Sequence, residues 1–409
     1  MMLSNSELVL EALEAQDLEM AEQRFRLALS EDDEESLLDL ATYMEGIGFL
    51  PQAQEIYEKL LLHYPEVALN LANIAMEDGD VEQAFAYLDQ IDETSPSYLQ
   101  ALVTKADFYQ LEGLADVAKE KLLEASQLTD DELVRFGLAE IELELENYQS
   151  AIRYYASLDN RAIYEQTGVS TYQRIGYAYA NLGKFEAAIE FLEKAVELEY
   201  DDQTLYELAT LLYESENYQR ANLYFKQLEA LNPDFNGYHY PYAQSLHAEH
   251  QLEEALRLLQ DYLSKDETAV PILLLASQYA YEFKNSELAE SYLIKAREWA
   301  DDLEEIDLRL SSMYLEQERF EDVLDLVRED MDHVLTRWNI AKAYRALERE
   351  EADLAYRDLV ADLQDNPEFL KEYIFVLREA GDFVEAKQQL QRYLTLVPDD
   401  LDMAALAMD

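Results

Sequence analysis

One small residue recurs along the chain at nearly constant spacing. An alanine with an aromatic or aliphatic residue three positions before it and a bulky residue four positions after it returns about every 33 residues, as in FEAAIEFL and YQSAIRYY. The twelve anchor residues, one per repeat, are Ala21, Ala53, Ala84, Ala118, Ala151, Ala188, Ala221, Ala255, Ala289, Val323, Ala355 and Ala386. A repeat of this length predicts one stack of small units rather than two or three globular domains.

Each repeat has the pattern of two helices joined by a turn. A small residue such as Gly176 lies twelve positions before the anchor, and a bulky one such as Leu192 lies four after it. Small residues on two helices let the backbones approach, and the bulky residue fills the space beside them. Glycines that end the first helix and prolines that follow the second mark the boundaries. They are Gly48, Gly79, Gly113, Gly183 and Gly381, and Pro65, Pro96, Pro233, Pro367 and Pro398.

Repeat 6, STYQRIGYAYANLGKFEAAIEFLEKAVELEY, resembles the tetratricopeptide repeat, a helix-turn-helix unit of 34 residues. The chain is also similar to cytoplasmic tetratricopeptide proteins of low-GC Gram-positive bacteria. The resemblance implies an all-α fold, a right-handed α-solenoid whose first helices line a concave groove. The residues of repeat 6 that match the family pattern are Tyr172, Gly176, Tyr179, Gly183, Phe185, Ala188 and Ala195.

The spacing departs from regularity in two places. Extra residues separate repeats 5 and 6, so we divide the solenoid into residues 1–160, the more acidic part, and residues 161–409, which end in a short cap. The segment 158–170 is either a joint between two sub-solenoids or a lengthened helix or loop. In repeats 9 to 11 the register is less regular, because Val323 replaces the alanine and Ala352 competes with Ala355 as an anchor.

The composition excludes several classes of protein. With 31 Lys+Arg against 88 Asp+Glu the net charge is −57, which disfavours nucleic acid and anionic membranes as partners. There is no cysteine, the first residues lack the basic stretch of a secretory signal, and no apolar stretch reaches the ~20 residues of a membrane span. We therefore expect a cytoplasmic protein that does not insert into membranes.

No motif indicates catalysis or a cofactor. His247 and His250 form an H-x-x-H pair without a clear third ligand, so we expect solvated or packing histidines rather than a metal site. The acidic residues 31–35 lack the spacing and the glycine of a calcium-binding loop. We interpret them as a charged connection between repeats. The sequence therefore predicts a protein that is not an enzyme and that binds no metal and no cofactor.

The candidate binding residues come from the repeat positions that face the groove in the family. Tyr177, Tyr206 and Tyr240 belong to successive repeats and are predicted to form one track, although solvated or packing roles are an open alternative. The full candidate set is Gln173, Arg174, Tyr177, Tyr206, Glu207, Tyr240, Gln244, Gln278, Arg309 and Tyr344.

Together these features predict a non-enzymatic scaffold or adaptor that binds a polypeptide segment in the groove. A partner with both basic and apolar side chains suits an acidic surface with exposed tyrosines. The cations of the family's carboxylate clamp are missing, so a carboxylate-terminated peptide is not expected. One alternative is a peptide-sensing regulator that acts through a partner rather than through DNA, and a more remote one is a module attached to an enzyme. The sequence does not determine the oligomeric state.

Overall fold

The computed structural model describes residues 3–406, and within that range it contains α-helices, a 3-10 helix at Pro65–Val67 and no β-strand. The helices are α1 (Asn5–Glu14), α2 (Leu18–Glu31), α3 (Glu34–Gly46), α4 (Leu50–Leu60), α5 (Ala68–Glu77), α6 (Val81–Leu88), α7 (Tyr98–Leu111), α8 (Ala115–Leu128), α9 (Glu132–Glu144), α10 (Tyr148–Tyr155), α11 (Asn160–Thr167), α12 (Thr171–Asn181), α13 (Phe185–Leu198), α14 (Asp202–Glu214), α15 (Tyr218–Leu231), α16 (His239–Ala248), α17 (Leu252–Leu263), α18 (Val270–Glu282), α19 (Ser286–Trp299), α20 (Glu304–Glu316), α21 (Phe320–Leu324), α22 (Val334–Ala346), α23 (Glu351–Leu363), α24 (Pro367–Glu379), α25 (Phe383–Leu396) and α26 (Leu401–Ala405).

Twelve helix pairs follow one another along the described residues, as the repeat spacing predicts, and within each of the two compact units described below neighbouring pairs pack on one another. The all-α repeat solenoid is therefore confirmed. Two compact units can be distinguished, an N-terminal unit that reaches Leu211 and a C-terminal unit that begins at Leu212. This division falls within α14, whereas the sequence places its boundary at residue 160.

Left-handed backbone ends the first helix of nearly every repeat. The five predicted turn glycines all have φ between +68° and +84°. In the remaining repeats the same turn is made by non-glycine residues with positive φ, namely Gln16, Glu146, Glu216, His250, Lys284, Glu318 and Glu348. We call this residue position 15 of its repeat, so that the anchor falls at position 20. Glycine removes the cost of this conformation but is not required for it.

The anchors are wedged between helices as predicted. Every anchor except Ala355 is buried, and Val323 is as buried as the alanines. Gly176 shows how tight the contact is: a Cβ atom added there would lie 2.7 Å from Leu192 Cγ and 3.2 Å from the Ala188 carbonyl oxygen. Close approach at these positions lets each repeat bury its apolar face against its own second helix and its neighbour.

Repeats 10 and 11 depart from the register read from the sequence. Helix α21 has only five residues, and Val327, four positions after the anchor, is 46% exposed rather than buried. In repeat 11 the turn residue at position 15 is Glu348, whereas an anchor at Ala355 would require it two residues later, at residue 350. Ala355 itself is only half-buried. Two extra residues in that turn explain the competing alanines.

The extra segment between repeats 5 and 6 forms helix α11. Asn160 ties it to its surroundings: its Oδ1 accepts from the Thr171 amide at 2.8 Å, and its Nδ2 donates to Glu199 at 2.7 Å. Ile163 is fully buried. Whether the segment acts as a joint stays a prediction.

Helix α26 follows the last repeat. Asp400 caps its first turn, and Met403 is buried in the core of repeats 11 and 12. The rest of the proposed cap, residues 407–409, lies outside the described residues. Among those described, no helix combines the length and the apolar character that a membrane span requires.

Candidate functional site

The predicted groove residues of the N-terminal unit form one hydrogen-bonded ladder. Gln173 Nε2 donates to Glu207 Oε2 at 2.8 Å, and Arg174 Nε donates to Glu140 Oε1 at 3.0 Å. Arg174 also donates to Gln173 Oε1 at 3.3 Å, which joins the two pairs. These side chains come from the first helices α9, α12 and α14, so the ladder runs across three neighbouring repeats.

A buried tyrosine anchors this ladder. The Tyr155 hydroxyl donates to Glu140 Oε1, and its burial together with the nearby Glu140 carboxylate raises the pKa of the Tyr155 phenol. Because Gln173 is only 9% exposed, its amide is occupied by neighbours rather than by solvent. This part of the face holds polar groups that already satisfy one another.

The three tyrosines of the predicted track differ in exposure. Tyr177 is 42% exposed and Tyr240 39% exposed, whereas Tyr206 is half-buried. Tyr177 and Tyr206 belong to the N-terminal unit and Tyr240 to the C-terminal unit. A continuous track through all three therefore stays a prediction. Gln244, also in the C-terminal unit, accepts a hydrogen bond from the Tyr213 hydroxyl at 2.9 Å.

The C-terminal unit contains an open cleft on the face of its first helices. A volume of about 460 Å³ lies between α18 and α20, and it brings together two predicted residues, Gln278 and Arg309. Its full lining is Ser277, Gln278, Tyr281, Glu282, Leu293, Leu308, Arg309, Ser312, Met313 and Glu316. Leucine and methionine side chains form its apolar part, and carboxylates lie among its polar groups.

Hydrogen bonds hold the charged side chains of this cleft. His247 Nε2 lies 2.6 Å from Glu282 Oε2, and Gln278 donates to Glu282 Oε1 at 3.0 Å. Burial raises the pKa of the Glu282 carboxyl, but these hydrogen bonds outweigh it, so the pKa lies below its ordinary value. The Tyr281 hydroxyl donates to Glu316, and this bond raises the pKa of Tyr281.

Arg309 is the cation of the cleft, but it is already engaged. Its guanidinium donates to the Leu274 carbonyl at 3.1 Å and pairs with Glu305. Glu282 and Glu316 therefore leave the cleft with acidic character. Such a surface attracts a cationic side chain and offers apolar contacts beside it.

A buried ion cluster adjoins the cleft residues Leu308 and Arg309 in the chain. Asp307 on α20 is 1% exposed and accepts from Arg297 at 2.9 Å and from Arg328 at 2.9 Å. Arg328 follows the short helix α21, so this carboxylate connects three consecutive segments. The cluster holds α20 in the orientation that presents Leu308 and Arg309.

The register shift in repeat 11 affects Tyr344. Counted back from Glu348, Lys342 takes the position that Tyr177 has in repeat 6, and Tyr344 lies two residues further on. Lys342 Nζ lies 3.8 Å from the centre of the Trp338 ring, and Trp338 Nε1 donates to Glu372 at 2.9 Å. The sequence therefore assigned Tyr344 a place that the structure gives to Lys342.

Sequence reasoning missed the acidic members of the cleft. Glu282 and Glu316 lie four residues after Gln278 and Ser312, at position 13 of their repeats. An i, i+4 extension of the groove positions by one helical turn would have included them. Among residues 3–406, no group of three or more histidine, aspartate or glutamate side chains is arranged to hold a metal ion.

Comparison with known proteins identifies the repeats. Models described as tetratricopeptide repeats match residues 38–98, 169–202 and 206–270. Models described as YpiA-like tetratricopeptide repeats match residues 110–163 and, for the C-terminal repeats, residues 335–400. The chain belongs to the tetratricopeptide repeat family. As a member, it is a repeat scaffold and a protein-interaction module.

The chain is similar to several individual proteins. The TPR repeat-containing protein YpiA of Bacillus subtilis is 28% identical over 373 residues, which are 89% of this chain and 88% of YpiA. Among solved structures, the C-terminal part of a TPR repeat-containing protein from Cytophaga hutchinsonii has a TM-score of 0.43 and 16% identity, covering 63% of this chain and 94% of its own. YrrB, titled a TPR protein with an unusual peptide-binding site, has a TM-score of 0.38 and 19% identity, covering 48% of this chain and 97% of its own.

Proposed function

We propose that this protein is a non-enzymatic scaffold that holds a polypeptide segment against its first helices, with the cleft between α18 and α20 as the main subsite. The observation that carries the proposal is that this cleft is open while the corresponding face near Gln173 is closed by its own hydrogen bonds. An open, partly apolar concavity with a few convergent polar groups is the usual form of a binding site.

The chemistry of the cleft favours a segment with a basic residue next to an apolar one. Glu282 and Glu316 supply carboxylates, and Leu308 and Met313 supply apolar contacts. The net charge of −57 adds a long-range field that speeds the approach of a basic partner. The contacts in the cleft would then determine how slowly the partner leaves.

The exposed tyrosines extend this surface. We infer that Tyr177 and Tyr240 add rigid aromatic contacts, as interface tyrosines commonly do, and that Gln244 and Arg309 contribute polar contacts on their own repeats. The cytoplasmic location and the absence of catalysis and of cofactors stay predictions from the sequence. YrrB is named for its peptide-binding site, and a comparable role for this chain is part of the proposal.

The test is partner capture with a matched pair of variants. The protein is used as bait in a lysate of its source cell, and captured proteins are identified by mass spectrometry with wild type, E282Q/E316Q and the control E31Q/E35Q. We expect E282Q/E316Q to lose a basic partner that the control retains, since both variants remove two exposed carboxylates.

Binding kinetics then separate the effect of the long-range electrostatic field from the effect of the contacts with the bound segment. Raising the salt concentration should slow association of the captured partner more than it speeds dissociation, because screening over ~8–10 Å weakens the field first. The variant Y177A/Y206A/Y240A should instead raise the dissociation rate. A captured partner that is itself acidic, or one that binds E282Q/E316Q as well as wild type, would contradict this placement of the site.

A further inference from the structure

The last repeat carries a cleft whose charge is opposite to that of the chain as a whole. A volume of about 310 Å³ between α24, α25 and the end of α26 is lined by Ile374, Arg378, Phe383, Ala386, Lys387, Leu390 and Leu406. Among residues 3–406, no carboxylate lines this cleft. Within the part of the chain that the structure describes, the Arg378 and Lys387 side chains have no hydrogen-bond or ion-pair partner. The nearby Arg357 and Lys371 side chains each form an ion pair with a carboxylate.

Repeat 1 contains the corresponding cleft, and there a following repeat closes it. The same five repeat positions, 12, 17, 20, 21 and 24, line both clefts. In repeat 1 they are Leu13, Leu18, Ala21, Glu22 and Phe25, and in repeat 12 they are Arg378, Phe383, Ala386, Lys387 and Leu390. The opposite wall comes from repeat 2, through Met44, Phe49 and Gln52. In repeat 12 only Leu406 stands on that side among the lining residues. The terminal cleft is thus a stacking surface for a further repeat.

The turn between α1 and α2 has the side chains to fill it. Phe49 and Gln52 are positions 16 and 19 of repeat 2, and the same positions in repeat 1 are Asp17 and Met20. Met20 is 42% exposed and the adjacent Leu18 62% exposed. The Asp17 carboxylate caps α2 by accepting from the Met20 amide at 3.0 Å and forms no ion pair within residues 3–406.

We propose that copies of this chain associate head to tail, with the α1–α2 turn of one copy seated in the terminal cleft of the next. Asp17 meets Arg378 and Lys387, and Met20 covers Phe383, which is 63% exposed. The net charge of −57 opposes association in general, so a contact forms where opposite charges meet locally.

Such a contact joins two different surfaces of the chain. Each pair of copies therefore still has one terminal cleft and one α1–α2 turn unoccupied, so further copies can add to the assembly. Helix α26 stands where the first turns of a thirteenth first helix belong. On a 34-residue repeat it covers positions 1 to 5 and Leu406 follows at position 6, whereas Leu3 of a second copy falls at position 2, so seating requires α26 and Leu406 to move aside. This interface is separate from the groove proposed above, and either can fail without the other.

The experiment is sedimentation of the full chain over about 1–200 µM at low and high salt, with circular dichroism to confirm that each variant is folded. We expect wild type to form species beyond the dimer, more weakly at high salt. R378E/K387E and D17N/M20A should each weaken association by about tenfold or more alone. Mixed in equal amounts, they should form a one-to-one complex, because each supplies the end that the other lacks.

The control is K226E/K284E, which makes the same change of charge at two exposed lysines without ion-pair partners in the described chain. It should associate like wild type, as should a chain shortened to end at Leu406. A wild type that stays monomeric throughout, a closed dimer, or variants that associate normally alone would each overturn the proposal.

Discussion

Two stretches of the same repeat face behave in opposite ways. Around repeat 6 the side chains of neighbouring first helices bond to one another, from Glu140 through Arg174 and Gln173 to Glu207. Between α18 and α20 the equivalent face opens into a cleft of about 460 Å³. The first helices that form the two faces are of similar length, so we attribute the difference to the side chains that occupy the same positions.

The physical reason is local pairing. Gln173 and Glu207 reach each other across adjacent helices and fill the space between them. In the cleft, Gln278 bonds to Glu282 on its own helix, whereas Arg309 donates to the Leu274 carbonyl and Tyr281 donates to Glu316 across the two helices. Because Gln278 pairs along its own helix, its side chain does not fill the space between the helices as Gln173 does. A repeat array can therefore have an open binding site between one pair of neighbouring repeats and a closed face between another pair, with the same fold in both places.

The strongest test of this contrast concerns the ion cluster around Asp307. D307A removes a buried carboxylate, which leaves Arg297 without its ion-pair partner and Arg328 with only the exposed Asp330, so we expect the free energy of unfolding to fall by about 3–5 kcal/mol. E140A in the N-terminal unit removes the carboxylate to which the partly exposed Arg174 and the Tyr155 hydroxyl both donate, and should cost about 1–2 kcal/mol. Urea unfolding of both variants measures the difference, and equal losses would contradict it.

Packing around the anchor Ala188, in the closed region, should tolerate little increase in side-chain volume. A188L places a larger side chain against Gly176 and Leu192, and we expect a loss of about 1–3 kcal/mol of unfolding free energy from overpacking. A187L changes the neighbouring, half-buried alanine in the same helix and should cost less. If denaturant melts show both variants to be as stable as wild type, the drawn register of repeat 6 is wrong.

The C-terminal unit should also respond to mild acid through His239. Its ring stacks on Tyr238 and lies 4.6 Å from the Tyr262 ring centre, and burial lowers the pKa of His239 from 6.5 to about 4. The unfolded chain binds a proton there below pH ~6.5 and the folded chain does not, so stability falls between pH ~6.5 and ~4. We expect about 1–2 kcal/mol for this half-buried group.

Unfolding measured across that pH range with H239Q should show a flatter profile than wild type. H63Q is the control, because His63 is an exposed histidine of the N-terminal unit. A profile that H239Q leaves unchanged would show that other groups cause the pH dependence.

The smallest expected effect compares two glutamines directly. Q173A breaks a bridge between Arg174 and Glu207 at a buried position, and we expect it to cost about 1 kcal/mol. Q278A removes an exposed side chain bonded only within its own helix and should change stability by less than about 0.5 kcal/mol. Thermal melts of the pair suffice, and a larger loss for Q278A would reverse the assignment of closed and open regions.

Much of the fold was predictable from spacing, and the failures have a common cause. Anchors such as Ala188 and turn residues such as Gly183 follow from the size and the conformational freedom of one residue, and the structure confirms both. Repeat 11 failed because two extra residues in its turn separate the register of α22 from that of α23, which placed Tyr344 where Lys342 stands. Sequence spacing across a turn cannot show on which side an insertion falls.

The sequence by itself determined that this protein is a stack of helix pairs, because a small residue at every anchor is needed wherever two backbones approach closely. It also identified Gln278 and Arg309 as residues of one face. Only the tertiary structure decided that these two border an open cleft while Gln173 and Glu207 close theirs. The reason is that repeat position fixes which face a side chain is on, whereas its hydrogen-bond partner depends on neighbours about 34 residues away that compete for the same polar groups.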